Sequence, residues 1–200
     1  MKFALIILLS YLLGSIPWAL VIGKVFYGKD IRLEGSGNLG GTNAGRVLGK
    51  KAGVSVIVLD ALKGLIAMLI ANMIAPETII YAGLACCIGH CFPVFANFKG
   101  GKAVATSFGY LLGISTLVTH NWLLQFVAIV ALFMIILYIR KMVSFSSITS
   151  LLGAVIMSVI LKNDISVTIS LFILWAFVTY RHKANIERIL KGEEKKITWM

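Results

Sequence analysis

Seven long apolar runs, separated by short polar segments, divide the chain. They fall near residues 3–23, 52–74, 78–96, 103–119, 122–139, 143–161 and 164–180. Each run holds roughly 16–23 residues, and a helix needs about 20 to cross the hydrocarbon core of a bilayer. Backbone groups in lipid must hydrogen-bond within their own segment, so we predict helices rather than strands. The pattern therefore predicts an all-α, polytopic integral membrane protein with about seven transmembrane helices, built as one membrane-embedded domain over residues 1–200.

The first run resembles a signal peptide, because it begins with one lysine and continues as an apolar core. No small-residue cleavage site follows it, and the sequence from Gly14 to Trp18 leads into further apolar residues. We therefore interpret the run as a retained helix. Pro17 lacks the N–H group that a helix interior needs, so it is predicted to kink this helix or to lie at a bend.

Composition and charge support the membrane assignment and set its orientation. Hydrophobic residues make up 59% of the chain, whereas a soluble domain has about 45–50%. The mean hydropathy is +0.94. With seven spans and the N-terminus outside, sixteen of the 19 Lys and Arg residues fall in inside loops. Only Lys2 and Lys162 fall outside, and Lys63 lies within a span. Basic residues concentrate on the cytoplasmic side, which also places the C-terminus there. Topology therefore accounts for most of the net charge of +11, so membrane lipid rather than nucleic acid is the expected partner.

A glycine-rich, basic segment between the first two runs, residues 35–46, has the chemistry of a phosphate site; we call it the first cassette. Glycines let backbone N–H groups turn toward an anion and let it approach closely. The residues that carry this chemistry are Gly35, Gly37, Gly40, the neutral donors Ser36, Asn38, Thr42 and Asn43, and Arg46, whose planar fork suits bidentate phosphate contact. The glycine spacing matches a dinucleotide fingerprint, but no strand precedes it, so that interpretation is rejected.

A second glycine-rich segment, residues 98–106, follows the third run; we call it the second cassette. Pro93 is predicted to break or bend the helix before it. Gly100 and Gly101 lead into the next helix at Ala103, so we expect free N–H groups at a helix N-terminus, with Lys99, Lys102 and Thr106 beside them. Ala103 stands where a nucleotide-binding P-loop has Ser or Thr, and no strand precedes the loop, so nucleotide hydrolysis is not expected.

Two further polar features lie on the predicted inner face. Hydroxyl residues cluster at 144–149, including Ser144 and Ser146, and helix capping explains one of them. The tail at 181–192 is predicted to be an amphipathic segment at the interface, and its lysines are expected to reach lipid headgroups. Arg181, His182 and Asn185 lie at the end of the last span, on the same predicted face as both cassettes.

Ionisable residues inside the spans raise two further possibilities. Asp60 and Lys63 are three residues apart and can pair on one helix face, either as a structural ion pair or to position a basic residue of the site. The cysteines at 86, 87 and 91 surround His90, but their spacing matches no zinc pattern, so we interpret them as small apolar helix residues and expect no metal.

The predicted convergence on one face favours an interfacial enzyme over the alternatives. A transporter needs a site near the midplane that is reachable from both sides, and the outer face here is nearly featureless. A transporter of phosphate esters nevertheless remains the second hypothesis. A lipid-phosphate phosphatase is a weaker third, because the usual acid/base histidine pair is missing from the inner face.

Three blocks of sequence resemble the bacterial acyl-phosphate:glycerol-3-phosphate acyltransferases, the PlsY family. They are G-S-G-N-x-G-x-T-N-x-x-R at 35–46, G-H-x-x-P-x-F-x-x-F-K-G-G-K-x-x-A-T at 89–106, and R-H-x-x-N-I-x-R at 181–188. The serine-rich block at 144–149 also fits. The resemblance spans essentially the whole chain.

The resemblance implies transfer of a fatty acyl group from acyl phosphate to the 1-hydroxyl of glycerol 3-phosphate, the first membrane step of phospholipid synthesis. The products are lysophosphatidic acid and phosphate, and no organic cofactor or metal is implied. It places the enzyme in the bacterial cytoplasmic membrane with its site facing the cytoplasm, and implies an upstream soluble enzyme that makes acyl phosphate. The implied catalytic residues are Ser36, Arg46, Lys102, His182 and Asn185; the expected substrate-binding residues are Gly37, Asn38, Thr42, Asn43, Lys99, Gly100, Gly101, Thr106, Ser144 and Ser146.

Some roles stay open at this stage. His182 either acts as a general base or mainly binds and orients, in which case a substrate phosphate takes the hydroxyl proton. The serine of 144–147 that contacts substrate is not assigned. Thioester-dependent acyltransferases use an H-x-x-x-x-D pair, and no histidine here has Asp five residues on, which favours an acyl phosphate donor.

Overall fold

The computed structural model describes residues 1–197, and within them every regular element is helical. The α-helices are α1 (Lys2–Gly14), α2 (Trp18–Tyr27), α3 (Gly41–Leu48), α4 (Lys50–Ile74), α5 (Ile79–Cys91), α6 (Val104–Gly113), α7 (Ala128–Arg140), α8 (Val143–Ile160), α9 (Ile165–Arg181) and α10 (Lys183–Leu190). Short 3₁₀ turns occupy Ile31–Leu33, Pro76–Thr78 and Val94–Ala96, and π-helical turns occupy Ile114–Val118 and Leu123–Val127. The all-α prediction is confirmed for the described part of the chain.

Length and hydropathy identify four helical segments able to cross a membrane: Lys50–Ile74, Pro76–Ala96, Leu123–Arg140 and Val143–Ile160. Two bent pairs raise the number to six within residues 1–197, namely α1 with α2 at 40° and α9 with α10 at 64°. The predicted span at 103–119 corresponds to a shorter apolar helix, Val104–Val118. The chain is thus a multi-pass membrane protein, while a count of seven spans and the orientation of the termini stay predictions.

The helices form two compact units, Met1–Gly113 and a second that begins at Ile114. In the first unit, glycines bring helix backbones together, as small residues do where membrane helices pack. A methyl group on Gly109 of α6 would overlap the Ala61 carbonyl oxygen of α4, and one on Gly89 of α5 would overlap the Tyr11 carbonyl oxygen of α1. Close backbone approach at these points fixes how α1, α4, α5 and α6 pack.

Two predicted breaks in this unit are confirmed. The first apolar run is interrupted between α1 and α2, where Pro17 occupies the position before α2. The third ends as an α-helix at Cys91, and Pro93 precedes a 3₁₀ turn. The first cassette differs from expectation, because its second half is not a loop: residues 41–48 form α3.

In the second unit, α8 packs between α7 and α9. A polar network ties one end of these helices together, since Asn163 Nδ2 donates to Gln125 Oε1 (2.5 Å) and to Ser158 Oγ (3.2 Å). Ser158 also pairs with Thr168 (2.8 Å). His120 lies exposed in the turn before Leu123.

Candidate active site

The first cassette is closed by a single buried amide. Asn43, on the first turn of α3, accepts the Ser36 N–H through Oδ1 at 2.8 Å. Its Nδ2 donates to the carbonyls of Glu34 (3.2 Å) and Ile31 (3.4 Å). Gly35 and Gly37 take the left-handed backbone conformation, with φ of 61° and 67°. All the described hydrogen bonds of Asn43 therefore go to the loop backbone, so it shapes the cassette from inside.

The expectation of anion-facing amides in the first cassette is wrong for two of them. The Ser36 N–H is bound to Asn43, and the Gly37 N–H donates to the Glu34 carbonyl at 3.0 Å. The groups exposed on the surface of the first cassette are side chains. Ser36 is exposed, and so are Thr42 and Arg46, which lie four residues apart on one face of α3. Asn38 is half-buried.

Basic residues just before this cassette are already neutralised. Asp30 accepts two hydrogen bonds from the Arg32 guanidinium, at 2.9 and 2.6 Å, and lies 3.5 Å from Lys24 Nζ. Hydrogen bonding to Arg32 holds the pKa of Asp30 well below its usual range. Among the residues that the structure describes, Arg46 forms no such ion pair, so it is the cation that the first cassette can direct at a bound anion.

The second cassette folds back onto the end of α5. The Gly100 N–H donates to the Cys91 carbonyl (3.2 Å), and the Gly101 N–H donates to the His90 carbonyl (3.1 Å). The expectation of free glycine amides is therefore wrong, because both bind the preceding helix. A methyl group on Gly100 would overlap the His90 carbonyl and the Pro93 ring. Here glycine is required for close approach.

The residues of the second cassette whose side chains are predicted to contact substrate differ in their exposure. Lys99 is exposed and Lys102 is half-buried, directly before α6. Thr106 is fully buried, and its Cγ2 packs close to Gly64 of α4. The two lysines are thus the cations of this cassette. Thr106 lies in a helix interface, and its direct contact with substrate stays a prediction.

The predicted Asp60–Lys63 pair is confirmed, and a third residue joins it. Lys63 Nζ lies 2.8 Å from Asp60 Oδ1, and both side chains are 2% exposed. His90 joins them, with Nδ1 3.4 Å from the same carboxylate oxygen. We call these three residues the buried ion cluster. Within the described residues no group of three or more His, Cys, Asp or Glu is placed to hold a metal, and the three cysteines are buried thiols.

In the second unit, the hydroxyls of the serine-rich block have different partners. Ser146 donates to the Met142 carbonyl (2.9 Å) and Ser147 to the Val143 carbonyl (2.7 Å), each within its own helix. Ser144 instead donates to Glu194 Oε1 at 2.6 Å. The structure therefore singles out Ser144 as the serine whose hydroxyl reaches another side chain.

His182 occupies the bend between α9 and α10 and is buried. Its Nδ1 lies 2.8 Å from the Val178 carbonyl. A carbonyl can only accept a hydrogen bond, so Nδ1 carries a proton, and in the neutral form of the ring Nε2 has the lone pair. This contact fixes the tautomer and the direction of the imidazole.

Glu194 organises the neighbouring residues and was not anticipated from the sequence. Its Oε1 accepts from Ser144 and from Asn185 Nδ2 (both 2.6 Å), and its Oε2 accepts from Arg188 Nε (2.8 Å). Burial raises the pKa of the Glu194 carboxyl, but these three hydrogen bonds outweigh burial and hold the pKa below its usual value. The clue in the sequence is the pair of carboxylates Glu193 and Glu194 within a strongly basic tail.

The structure thus assembles two sets of residues. The first unit holds both cassettes and the buried ion cluster; the second holds Ser144, His182, Asn185 and Glu194. The first set combines hydroxyl and amide donors with the fixed positive charge of Arg46, Lys99 and Lys102, as a phosphate site requires. In the second set, the Ser144 hydroxyl and the Asn185 amide donate to the Glu194 carboxylate. Together with the apolar helices, the first set defines the class: over the described residues, a multi-pass, all-helical membrane protein with a candidate anion site.

Comparison with known proteins agrees with this class and narrows it. The family model described as glycerol-3-phosphate acyltransferase matches residues 4–192. The glycerol-3-phosphate acyltransferase of Geobacillus kaustophilus (strain HTA426) is 48% identical over 197 residues, covering 98% of this chain and 96% of the relative. That of Bacillus subtilis (strain 168) is 46% identical over 201 residues, with 100% of both chains covered.

Solved structures show the same fold. A crystal structure of PlsY (YgiH), an integral membrane glycerol 3-phosphate acyltransferase, in its glycerol 3-phosphate form gives a TM-score of 0.90 at 36% identity. Its lysophosphatidic acid form gives 0.88 at 34%. Each alignment covers 99% of this chain and 96% of the other. The chain belongs to the PlsY family of glycerol-3-phosphate acyltransferases, as the three sequence blocks predicted.

Proposed function

We propose that the chain transfers a fatty acyl group from acyl phosphate to the 1-hydroxyl of sn-glycerol 3-phosphate, giving lysophosphatidic acid and phosphate. Family membership supports the acceptor, since one related structure is a glycerol 3-phosphate form and another a lysophosphatidic acid form. The observation that carries the donor assignment is the presence of two separate cationic cassettes in one unit, because this reaction brings together two molecules that each carry a phosphate.

This reaction requires the protein mainly to hold the two substrates in position. The acceptor oxygen attacks the acyl carbon, a new C–O bond forms, and the bond from that carbon to the phosphate oxygen breaks with its electron pair leaving on phosphate. A mixed anhydride is already activated, so no covalent enzyme intermediate is required. Holding two reactants in attack geometry can supply about 7–11 kcal/mol of the barrier.

Arg46 and Lys102 supply the electrostatic part of this proposal. Negative charge grows on the departing phosphate, and fixed cations aimed at that charge stabilise the transition state. Ser36 binds and orients rather than accepting the acyl group. His182 is held by Val178 with Nε2 as its basic nitrogen, a geometry suited to binding the acceptor hydroxyl; the proton passes to Nε2 or to a substrate phosphate.

The site is proposed to face the cytoplasm of a bacterial plasma membrane, reached by seven spans with the N-terminus outside. The strong inside bias of basic residues supports this orientation. A soluble enzyme that produces acyl phosphate is the expected supplier of the donor. Anionic lipid around the basic loops is the expected surroundings.

The test uses purified protein in lipid with labelled glycerol 3-phosphate and either acyl phosphate or acyl-CoA. We expect lysophosphatidic acid and phosphate from acyl phosphate alone. Lys102→Met is expected to abolish most of that product, whereas Lys162→Met, an exposed lysine in the turn after α8, serves as the matched control. Product from acyl-CoA alone would contradict the donor assignment, and no product from either donor would favour transport of a phosphate ester, tested by counter-transport in sealed vesicles.

A further inference from the structure

The buried ion cluster lies between two interruptions of the helical backbone, the α1–α2 break and the end of α5. Lys63 Nζ, besides its 2.8 Å contact with Asp60, donates to the Ile16 carbonyl at 3.0 Å. That carbonyl precedes Pro17, and the Leu20 N–H that would pair with it in a continuous helix donates to the Pro17 carbonyl instead. Lys63 therefore satisfies an acceptor that the α1–α2 break exposes.

The opposite side of the cluster touches the second cassette. His90 lies in the last turn of α5, with Nδ1 directed at Asp60. Its other ring nitrogen, Nε2, packs so close to Gly101 that a methyl group there would overlap it. The Gly101 N–H also donates to the His90 carbonyl. The imidazole thus fills the space between the buried carboxylate and the glycine backbone.

Burying charged groups costs free energy that their pairing offsets only in part. Ion pairs inside a membrane protein are rare and are functional candidates, and replacing a buried pair by apolar residues is often neutral for stability. An apolar side chain at position 90 would fill space, but it has no donor to orient it on Asp60. The Asp60 carboxylate orients the His90 ring, and the ring in turn supports the loop at Gly101.

We propose that His90, held by Asp60 and Lys63, is a positioning residue that supports the Gly100–Gly101 backbone and thereby sets the place of Lys102. This deepens the proposed function and rests on it, because Lys102 is the cation proposed to act on phosphate. The cluster acts on the reaction through the loop, because it fixes the distance between the loop and the end of α5.

The variant His90→Asn tests whether contact with the loop, rather than the hydrogen bond to Asp60, is what the residue contributes. An asparagine amide can occupy the position of Nδ1 and still donate to Asp60, but it is too short to reach Gly101. His120→Asn is the matched control, because His120 is exposed and has a φ of 51°, a conformation that asparagine tolerates. Both variants are made in the full chain and compared with the parent.

Two readouts are measured on the same samples. Hydrogen exchange of the peptide 97–103 is expected to speed up about 10-fold in His90→Asn, with the α6 peptide unchanged, since loosening is confined to the loop. Steady-state kinetics should show kcat/KM about 100-fold lower, with an altered KM for at least one phosphate-bearing substrate, because misplacement of about 1 Å has effects of this size. His120→Asn should leave both readouts unchanged.

A purely structural role predicts a different result, namely exchange raised throughout the first unit and an unchanged KM for both substrates; that result, or unchanged exchange at 97–103, would overturn the proposal. If His90→Asn does not fold, Gly101→Ala disturbs the same contact from the loop side and must give the same local exchange. A parent enzyme that makes no lysophosphatidic acid would refute the proposed function, while the exchange result would still decide whether His90 supports the loop.

Discussion

The two glycine-rich cassettes of the first unit use glycine for different physical reasons. In the first, Gly35 and Gly37 have positive φ, and the neutral amide of Asn43 closes the loop from inside. In the second, positive φ falls on Asn97, Phe98 and Ala103, while the glycines are needed for close approach to α5. The first cassette is shaped by the left-handed conformation of its glycines and by the Asn43 side chain. The second is shaped by the close packing of its glycines against α5 and by the buried ion cluster. Similar composition therefore does not imply a similar way of presenting charge.

The largest effects are expected from removing the cation that each cassette presents. Arg46→Gln and Lys102→Met should each lower kcat about 100- to 1,000-fold, since each removes a preorganised charge from the departing phosphate. Steady-state rates with acyl phosphate check this. Lys51→Gln, at an exposed position on α4, is the control for charge alone. A loss confined to KM would show that these residues bind substrate without favouring the transition state.

The next largest effect tests whether the second cassette needs glycine for close packing or for backbone conformation. Gly100→Ala should lower activity about 100-fold, because its methyl group meets rigid backbone and moves Lys102. Asn97→Gly, three residues earlier in the same loop and already at φ of 54°, should remain active. Equal activity losses in the two variants would argue that the loop depends on conformation after all.

In the first cassette the expected effect is mainly on stability. Asn43→Ala removes three hydrogen bonds between the side chain and the loop backbone, each with a net contribution of about 0.5–1.5 kcal/mol. The thermal unfolding midpoint in detergent should fall accordingly. Asn43→Asp keeps the acceptor for Ser36 but places a buried carboxylate oxygen against two carbonyl oxygens, so its midpoint should be no higher than that of the alanine variant. A midpoint equal to that of the parent in Asn43→Ala would exclude the closing role.

The smallest expected effect concerns pH and Glu194. Folding lowers the pKa of this carboxyl, so its contribution to stability is present above the unfolded value of about 4.3 and is lost as pH falls through the lower folded value. The difference in unfolding midpoint between the parent and Glu194→Gln should be largest near pH 7 and shrink below about pH 4.3. A difference that stays constant over this range would mean that the three hydrogen bonds do not depend on the charge.

The sequence alone was sufficient where the signal is local. Hydropathy predicted helices, Pro17 and Pro93 predicted the breaks, and the spacing of Asp60 and Lys63 predicted their pair. It did not reveal that residues 41–48 are helical, because Gly41 and Gly45 disfavour a helix on propensity. Both glycines instead permit close packing, since Gly41 lies near Ile57 and Gly45 faces Gly53 of α4.

Several missed contacts join residues far apart in the chain. His90 reaches Asp60, Lys63 reaches Ile16, and Ser144 meets Glu194 fifty residues later. No periodicity or motif encodes such pairs, because they depend on how whole helices pack. Contacts of shorter range were missed as well, because the glycine amides that looked available for an anion are bound to α5.

The most direct test of the account is whether acyl transfer proceeds without an acylated enzyme. Purified protein would be mixed with acyl-labelled acyl phosphate, quenched rapidly with and without glycerol 3-phosphate, and examined by mass spectrometry of the peptide that contains Ser36. Transfer between two substrates held by the two cassettes predicts labelled lysophosphatidic acid with acceptor present and no acyl group on protein in either case. Stoichiometric label on Ser36 that chases into product when glycerol 3-phosphate is added would contradict it.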